Sequence, residues 1–295
     1  MDTFVLLTVT GLALGAMYFL IASGLSLIYG LMGVLNFAHG AFITVGTYAT
    51  WWSESKLDAI GSSPLRFLVA AAIGLLCGAV LGALVEVILI RPLYQRHIEQ
   101  ALVTVGLSLA LIALVQGIWG PTERIYPTPR WMYETTSILG AQIPNDRFVE
   151  ILAAVVTLGG LLAFLRYTRY GLIIRAGVEN RAMVTALGID VKKAFTLVFA
   201  IGGVAAALAG VLAGVYFGSV DPHQGTSLLI FAFIVTVIGG LGSITGSAVA
   251  AVAVGLIQQY ANYYASSGTG DLAVVLLLAL TLLVKPGGLA PKVAH

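Results

Sequence analysis

Hydrophobic runs long enough to cross a bilayer follow one another along almost the whole of this 295-residue chain. A transmembrane helix needs about 20 consecutive and mostly apolar residues. Runs that meet or approach this length occupy residues 4–23, 24–50, 66–90, 101–119, 148–165, 195–217, 227–239, 246–262 and 271–285. The pattern predicts an all-α polytopic membrane protein with eight or nine transmembrane helices.

The first two runs leave the number of helices open. Residues 4–50 are almost continuously apolar, but several small or polar residues interrupt them: Gly24, Gly30, Gly33, Asn36, His39 and Gly40. Two crossings would produce this pattern, and so would one crossing followed by a discontinuous helix. We therefore expect a discontinuous helix near the N-terminus.

The small number of charged residues excludes a soluble domain. Only 9% of the residues are charged, whereas a soluble domain has about 25%. Residues 1–295 are therefore predicted to form a single transmembrane domain in the cell (inner) membrane, surrounded by lipid. The net charge of +2 is not gathered on one patch, which argues against a nucleic-acid partner. The N-terminal run has no basic segment before it, so we expect it to be retained rather than cleaved as a signal peptide.

Lysine and arginine predict the orientation, because basic residues accumulate on the cytoplasmic side of membrane proteins. Five fall on the predicted outer face, namely Lys56, Arg66, Arg124, Arg130 and Arg147. Ten fall on the opposite, predicted cytoplasmic face, namely Arg91, Arg96, Arg166, Arg169, Arg175, Arg181, Lys192, Lys193, Lys285 and Lys292. Glu86 precedes Arg91 at one cytoplasmic helix end, where we expect a local ion pair.

The motifs of several enzyme classes are missing. The sequence contains no Walker A motif, and the glycine-rich stretch 239–246 does not match the dinucleotide-binding fingerprint. Ser23 and His39 lack the motif of an intramembrane protease. The four histidines lie in four separate segments and Cys77 is the single cysteine, so we expect no metal site, no cofactor and no catalytic residues.

Glycines repeat at intervals of four residues in three runs, at Gly11/Gly15, Gly74/Gly78/Gly82 and Gly210/Gly214/Gly218. This spacing places small residues on one helix face and lets helix backbones approach closely. Tight packing inside one bundle is the favoured interpretation, and a seam between two copies of the chain is the alternative.

Asn36 and His39 are polar residues inside a predicted membrane segment, where each costs free energy unless it is paired. They lie three residues apart and would share one face if this segment were helical. Hydrogen bonding between helices and the lining of a translocation path are both consistent with this pair.

Residues 173–193 form a charged segment between two hydrophobic runs. A membrane protein that keeps such a segment on its cytoplasmic face is expected to dock a partner there. Ala182 and Ala186 lie four residues apart, and Gly188 is predicted to end a short helix. The segment 120–147 on the other face is too long for a minimal connection. We expect it either to dock a binding protein or to cap the bundle with a short interfacial helix.

Four stretches together resemble one known family. Residues 31–40, LMGVLNFAHG, resemble the G-x-x-N-F-A-H-G signature of LivH-type permeases of branched-chain amino-acid ABC transporters. Residues 179–189 resemble the cytoplasmic EAA-like loop of that family. The likeness continues through residues 239–246 and 285–289 and covers essentially the whole chain.

The resemblance implies a permease subunit that pairs with a second, homologous permease. It also implies two cytoplasmic ATPase subunits, which hydrolyse the ATP, and a periplasmic solute-binding protein. Independently of the resemblance, Asn36 and His39 stay the candidate residues for a translocation path. Coupling to the ATPases would fall to Glu179, Arg181, Ala182, Ala186, Leu187, Gly188 and Ile189.

The substrate is less well defined than the family. An acidic residue often follows N-F-A-H-G in this family, and Ala41 stands there in this chain. Permeases for urea, short amides or aromatic acids therefore stay open as alternatives to one for branched-chain or related amino acids. A self-sufficient channel or secondary transporter is a further alternative, although it gives no reason for the charged segment 173–193.

Overall fold

The computed structural model describes residues 2–33, 35–179, 184 and 190–290, and helices make up most of them. The helices are α1 (Asp2–Met32), α2 (His39–Glu54), α3 (Ser63–Val85), α4 (His97–Trp119), α5 (Arg130–Tyr133), α6 (Asn145–Tyr167), α7 (Arg169–Glu179), α8 (Val191–Phe217), α9 (Gln224–Gly239), α10 (Ile244–Tyr264) and α11 (Thr269–Val284). A π-helical turn (Glu86–Ile90) and a 3-10 turn (Arg91–Leu93) extend α3. The strands are β1 (Arg124–Ile125), β2 (Thr135–Ile138), β3 (Ala141–Pro144) and β4 (Ser219–Val220).

Six helices in the described part of the chain are long and apolar enough to cross a membrane. They are α1, α3 with its extension, α4, α6, α8 and α10. Two further apolar helices, α9 and α11, have 16 residues each. The prediction of an all-α polytopic membrane protein is therefore confirmed.

The predicted boundary between the first two runs, at residues 23 and 24, is wrong. The helix α1 continues through Gly24 to Met32, whereas Gly33 and residues 35–38 are not helical. Glycine lowers helix propensity by about 1 kcal/mol relative to alanine. Packing explains its presence, because a Cβ atom on Gly24 would lie 2.7 Å from Cε1 of His39 and 2.9 Å from the carbonyl oxygen of Gly202. Close contact between helices therefore outweighs the local preference.

The two faces of the bundle follow from contacts between helix ends. The start of α1 lies beside the β2–β3 turn, where a Cβ atom on Gly140 would be 2.9 Å from the Asp2 carboxylate. The ring of Phe4 lies 6.2 Å from the ring of Tyr260, near the end of α10. We call this the outer face, because it carries residues 120–147. The end of α3 meets the start of α8 on the opposite, inner face.

The outer segment 120–147 is ordered and contains more than the short helix α5. Its strand β1 pairs antiparallel with β4, which follows α8. Strands β2 and β3 form a hairpin, and all four residues of β2 are exposed. The Trp51 indole at the end of α2 donates a hydrogen bond of 3.1 Å to the carbonyl oxygen of Ile125. These contacts attach the segment to the bundle at several points.

The glycine repeats pack helices of this chain together, as the favoured interpretation predicted. Gly15 on α1 faces the backbone of Ala251 on α10. Gly78 on α3 and Gly203 on α8 face each other so closely that neither position has room for a Cβ atom. Gly218 has a different role, because it ends α8 in a left-handed conformation with φ 70°.

Candidate functional site

Helix α9 separates two cavities. Gln224, Ser227, Leu228 and Phe231 line the first, which we call the outer cavity. Thr226, Leu229, Ile230 and Phe233 line the second, which we call the Asn36 cavity. Each set repeats at three and four residues, so each occupies one helix face. The two sets are offset by two positions, about 200° around the helix, and they therefore face opposite sides.

The Asn36 cavity has a volume of about 310 Å³ and a mainly apolar lining. It lies between α4, α9 and the non-helical stretch that precedes α2. Aliphatic and aromatic side chains from these elements surround it, and the polar side chains in its lining are Asn36, Ser108 and Thr226. A cavity of this composition suits a small solute that carries an apolar side chain.

Asn36 is buried and only partly hydrogen-bonded. Its Oδ1 accepts a bond of 3.1 Å from the Ala38 N–H, and its carbonyl oxygen accepts one of 3.1 Å from the His39 N–H. These bonds form the turn that starts α2. Within residues 2–33, 35–179, 184 and 190–290, neither Asn36 Nδ2 nor Thr226 Oγ1 has a hydrogen-bond partner. The Asn36 cavity therefore contains a donor and a hydroxyl that are free to bind a solute.

His39 is the first residue of α2 and lies in a different environment. Its side chain is fully buried, and Nε2 lies 3.1 Å from the carbonyl oxygen of Ile21 on α1. It is absent from the lining of the Asn36 cavity. Asn36 precedes the helix, so the condition under which the two residues would share a helix face is not met. Their role in a translocation path stays a prediction.

The starts of α2 and α9 lie against each other. Thr44 Oγ1 donates a hydrogen bond of 3.3 Å to the carbonyl oxygen of Pro222. Gly225 lies so close to Gly40 that a side chain would strike the Gly40 carbonyl group. From this contact α2 runs to the outer face, whereas α9 runs toward the inner face and ends beside Gly246. Movement of one helix would therefore be transmitted to the other.

The outer cavity has a volume of about 520 Å³ and is lined by both polar and apolar side chains. Its carboxylates belong to Glu123, Asp221 and Asp271. Deeper in the cavity the rings of Tyr18 and Phe231 stack with a centroid separation of 5.2 Å. These residues come from different helices and connections, so linear spacing could not reveal the cavity.

A polar cluster joins α3 to α8 at the inner face. Arg91 Nη2 lies 2.9 Å from Oε2 of the fully buried Glu86, which confirms the predicted ion pair. The Tyr94 hydroxyl donates to Glu86 Oε1, and Thr196 Oγ1 lies 2.6 Å from Glu86 Oε2. Burial raises the pKa of Tyr94, and the hydrogen bond to Glu86 raises it further. The tyrosine therefore stays protonated and keeps donating to the carboxylate.

The charged segment 173–193 is described only in part. Helix α7 contains its start and ends at Glu179, while Asp190 Oδ1 caps α8 by accepting a bond of 3.1 Å from the Lys192 N–H. Val184 is buried in a cluster with Val191 and Phe195. The remaining residues predicted to couple the chain to ATPases lie outside the described residues: Arg181, Ala182, Ala186, Leu187, Gly188 and Ile189.

Comparisons with known proteins identify the family. Residues 7–285 match the family described as the permease component of the branched-chain amino acid transport system. The permease protein LivH of the high-affinity branched-chain amino acid transport system of Salmonella typhimurium is 31% identical over 95% of this chain and 92% of its own length. BraD of Pseudomonas aeruginosa, named as a permease of the same kind of system, is 32% identical over 95% of this chain and 94% of its own length.

A more distant relative is the probable branched-chain amino acid transport permease LivH of Methanocaldococcus jannaschii. It is 29% identical over 92% of this chain and 87% of its own length. No solved structure matches. The apolar helices and the full-length matches together make this a multi-pass membrane protein. The chain belongs to the family of permease components of branched-chain amino acid transport systems.

Proposed function

We propose that this chain is the permease subunit of an ATP-driven importer for branched-chain or related amino acids. The observation that carries the proposal is the similarity to LivH and BraD over 95% of the chain. In this proposal residues 1–295 act as one transmembrane domain. ATP hydrolysis belongs to two cytoplasmic ATPase subunits, and a second permease and a periplasmic binding protein complete the importer.

Nine helices contribute to the transmembrane region in this proposal. The three helices α2, α9 and α11 add to the six long ones, and each has 16 residues. At 1.5 Å per residue, 16 residues span about 24 Å, which is short of a hydrocarbon core of about 30 Å. The contact between Gly40 and Gly225 therefore makes α2 and α9 a pair that reaches opposite faces from a shared level inside the membrane.

The substrate path is proposed to involve the Asn36 cavity. An amino acid with a branched aliphatic side chain has polar atoms that Asn36 Nδ2 and Thr226 Oγ1 can bind, and an apolar part that suits the remaining lining. His39 would stabilise this site without lining it, because its contact with the Ile21 carbonyl oxygen holds the start of α2 against α1. Passage from the outer cavity to the Asn36 cavity requires α9 to move.

The segment 173–193 is proposed to dock an ATPase subunit. In support, the start of the segment belongs to α7, which contacts α1 and α6, and its end belongs to α8, where Val191 packs with Val184 and Phe195. A force applied to the segment would therefore reach the transmembrane helices. Small side chains at Ala182 and Ala186 would let the segment enter a cleft. We expect Ala186→Trp to preserve assembly and to abolish ATP-driven uptake, whereas wild-type uptake in this variant would contradict the docking role.

The outer segment 120–147 is proposed to contact the binding protein. The exposed β2 strand of its hairpin offers a surface at the outer face. Deletion of residues 123–134 is expected to abolish the stimulation of ATPase activity by the binding protein. Full stimulation after this deletion would assign the segment a capping role only.

The central test is uptake by the reconstituted importer. The tagged chain would be purified in mild detergent, its co-purifying subunits identified by mass spectrometry, and the complex placed in liposomes with the binding protein and internal ATP. We expect accumulation of leucine, isoleucine or valine that stops when ATP is omitted. Uptake by the chain alone would favour a channel or secondary transporter, and accumulation of urea or an aromatic acid instead would change the substrate.

A further inference from the structure

We propose that the outer cavity is a binding site for a primary ammonium group, with Asp271 and Gln258 as its ligands. The site would receive the ammonium end of an amino-acid substrate before translocation. The inference rests on the proposed function for the identity of this substrate. The assignment of an ammonium group follows from the side chains of the cavity itself.

Asp271 and Gln258 leave acceptor atoms without a donor. Gln258 Nε2 donates a hydrogen bond of 2.7 Å to Asp271 Oδ1, and this direction is required because an ionised carboxylate only accepts. The amide therefore presents Oε1 as its remaining polar atom. Gln258 is 5% exposed, and Oε1 accepts no hydrogen bond within 3.5 Å from the described residues. The Tyr18 hydroxyl of the same cavity lies near enough to interact with the Gln258 side chain, so an ammonium group would share this amide with Tyr18. An ammonium group has three donors and can bond Gln258 Oε1 and the Asp271 carboxylate together.

The charge of the cavity favours a cation. Glu123, Asp221 and Asp271 line it, and none of its described lining residues is lysine or arginine. Asp221 is partly engaged, because its Oδ1 accepts a bond of 2.8 Å from the His223 N–H at the start of α9. The Tyr216 ring of the lining already faces the Arg147 guanidinium, whose carbon lies 3.6 Å from the ring centroid. The ring of Phe217, which also belongs to the lining, can attract a further cation.

The turn between α10 and α11 holds Asp271 in position. Asn262 Oδ1 accepts a bond of 3.2 Å from the Gly268 N–H and one of 2.8 Å from the Gly270 N–H. A Cβ atom on Gly270 would lie 2.5 Å from the carbonyl oxygen of Gln258, so the turn packs directly on α10. The carboxylate is therefore presented by a constrained backbone beside Gln258.

The floor of the cavity suits an aliphatic side chain. Leu14 and Leu228 join the stacked rings of Tyr18 and Phe231 there. The carboxylates of Glu123 and Asp271 belong to exposed residues, whereas Leu14, Tyr18, Leu228 and Gln258 are buried. An amino acid with its ammonium group at Asp271 could place a branched side chain on this floor.

The test uses the complete importer in nanodiscs, without binding protein and without ATP. Equilibrium binding of radiolabelled L-leucine would be measured in competition with 3-methylbutylamine, which lacks the carboxylate, and with 4-methylpentanoate, which lacks the ammonium group. We expect the amine to compete and the acid not to compete. Asp271→Asn keeps an acceptor for Gln258 Nε2 and is expected to weaken leucine binding about tenfold, the usual scale for a hydrogen bond to a charged group.

Glu134→Gln is the matched control, because it removes one negative charge from the outer face at an exposed residue that does not line the outer cavity. We expect its leucine affinity to stay within about twofold of wild type, since exposed charges are screened by solvent and salt. Equal affinity of Asp271→Asn and wild type would overturn the proposal. An equal loss in Glu134→Gln would also overturn it, because a diffuse field rather than a defined pair would then bind the substrate.

Uptake by the wild-type importer separates this site from the proposed function. If the wild-type importer takes up leucine and Asp271→Asn binds leucine as tightly as wild type, the proposed function stands and the proposed ammonium site is wrong. No leucine uptake by an assembled importer with ATP and binding protein would contradict the function instead. Binding of 3-methylbutylamine would then still test the site, and equal binding by wild type and Asp271→Asn would overturn it.

Discussion

Thr196 Oγ1 on α8 lies 2.6 Å from the carboxylate of Glu86, the first residue of the π-helical turn after α3, although 110 positions separate the two residues in the sequence. The Glu86 side chain is 0% exposed, whereas the side chain of its ion-pair partner Arg91 is 32% exposed. This asymmetry predicts different costs for removing each partner. Loss of Arg91 leaves a buried carboxylate without its cation, while loss of Glu86 leaves a guanidinium that reaches water.

We expect Arg91→Ala to lower the free energy of unfolding by about 3 kcal/mol, and Glu86→Gln to lower it by about half as much. Thermal unfolding of the purified chain in detergent would measure both. The double substitution Glu86→Leu with Arg91→Leu should be more stable than Arg91→Ala, because no unpaired charge stays buried. If Glu86→Gln proved the more damaging change, the buried carboxylate would not be the costly partner.

Close packing of α3 on α8 gives a second prediction. A Cβ atom on Gly78 would overlap the carbonyl oxygen of Gly203, and this oxygen belongs to a helix backbone that cannot move aside locally. We expect Gly78→Ala to lower the free energy of unfolding by about 1–3 kcal/mol through overpacking. Gly106→Ala on α4 is the control, because a Cβ atom there meets nothing within 4 Å, and it should leave stability unchanged or slightly raised.

Asn36 gives a prediction about transport. Asn36→Ala removes the bond from Oδ1 to the Ala38 N–H, which costs about 1 kcal/mol of stability, and it removes the free Nδ2 from the cavity. We expect uptake by the reconstituted importer to fall by at least about tenfold while assembly is retained.

Ser243→Ala is the matched control for Asn36→Ala. It removes a comparable bond of 3.1 Å from the Gly246 N–H, at the start of α10 and outside the Asn36 cavity. A small loss of stability with nearly normal uptake is expected. If the two variants lost uptake to the same extent, the effect of Asn36→Ala would reflect stability rather than a contact with the substrate.

Arg147 gives a prediction for the outer face. Its guanidinium carbon lies 3.6 Å from the centroid of the Tyr216 ring, and its Nη1 lies 3.7 Å from Oε1 of the fully buried Glu150. Arg147→Met preserves the bulk of the side chain but leaves Glu150 without a cation, so we expect a loss of about 3 kcal/mol. Adding Glu150→Gln should recover part of this loss, and thermal unfolding of the single and double variants would measure it. No recovery in the double variant would show that the stacking on Tyr216, rather than the charge, matters.

The sequence could predict that this chain is a membrane protein and where most of its helices lie, because the length of an apolar run depends only on neighbouring residues. A run of apolar residues has one stable arrangement in a bilayer, a helix that pairs its own backbone groups. The start of α2 could not be placed in the same way. Gly24 was expected to interrupt the helix, but its lack of a side chain makes room for His39. The helix is interrupted at the turn around Asn36 instead.

The sequence by itself determined that this chain is a helical membrane protein of a permease family, since the length of its apolar runs and the motif around residues 31–40 can both be recognised from the order of residues along the chain. The tertiary structure alone decided which polar residues share a space. Asn36 and Thr226 line one cavity, Gln258 on α10 bonds to Asp271 on α11, and Glu86 bonds to Thr196 on α8. These pairings depend on which helix faces pack together, and periodicity within one helix carries no information about the face of another.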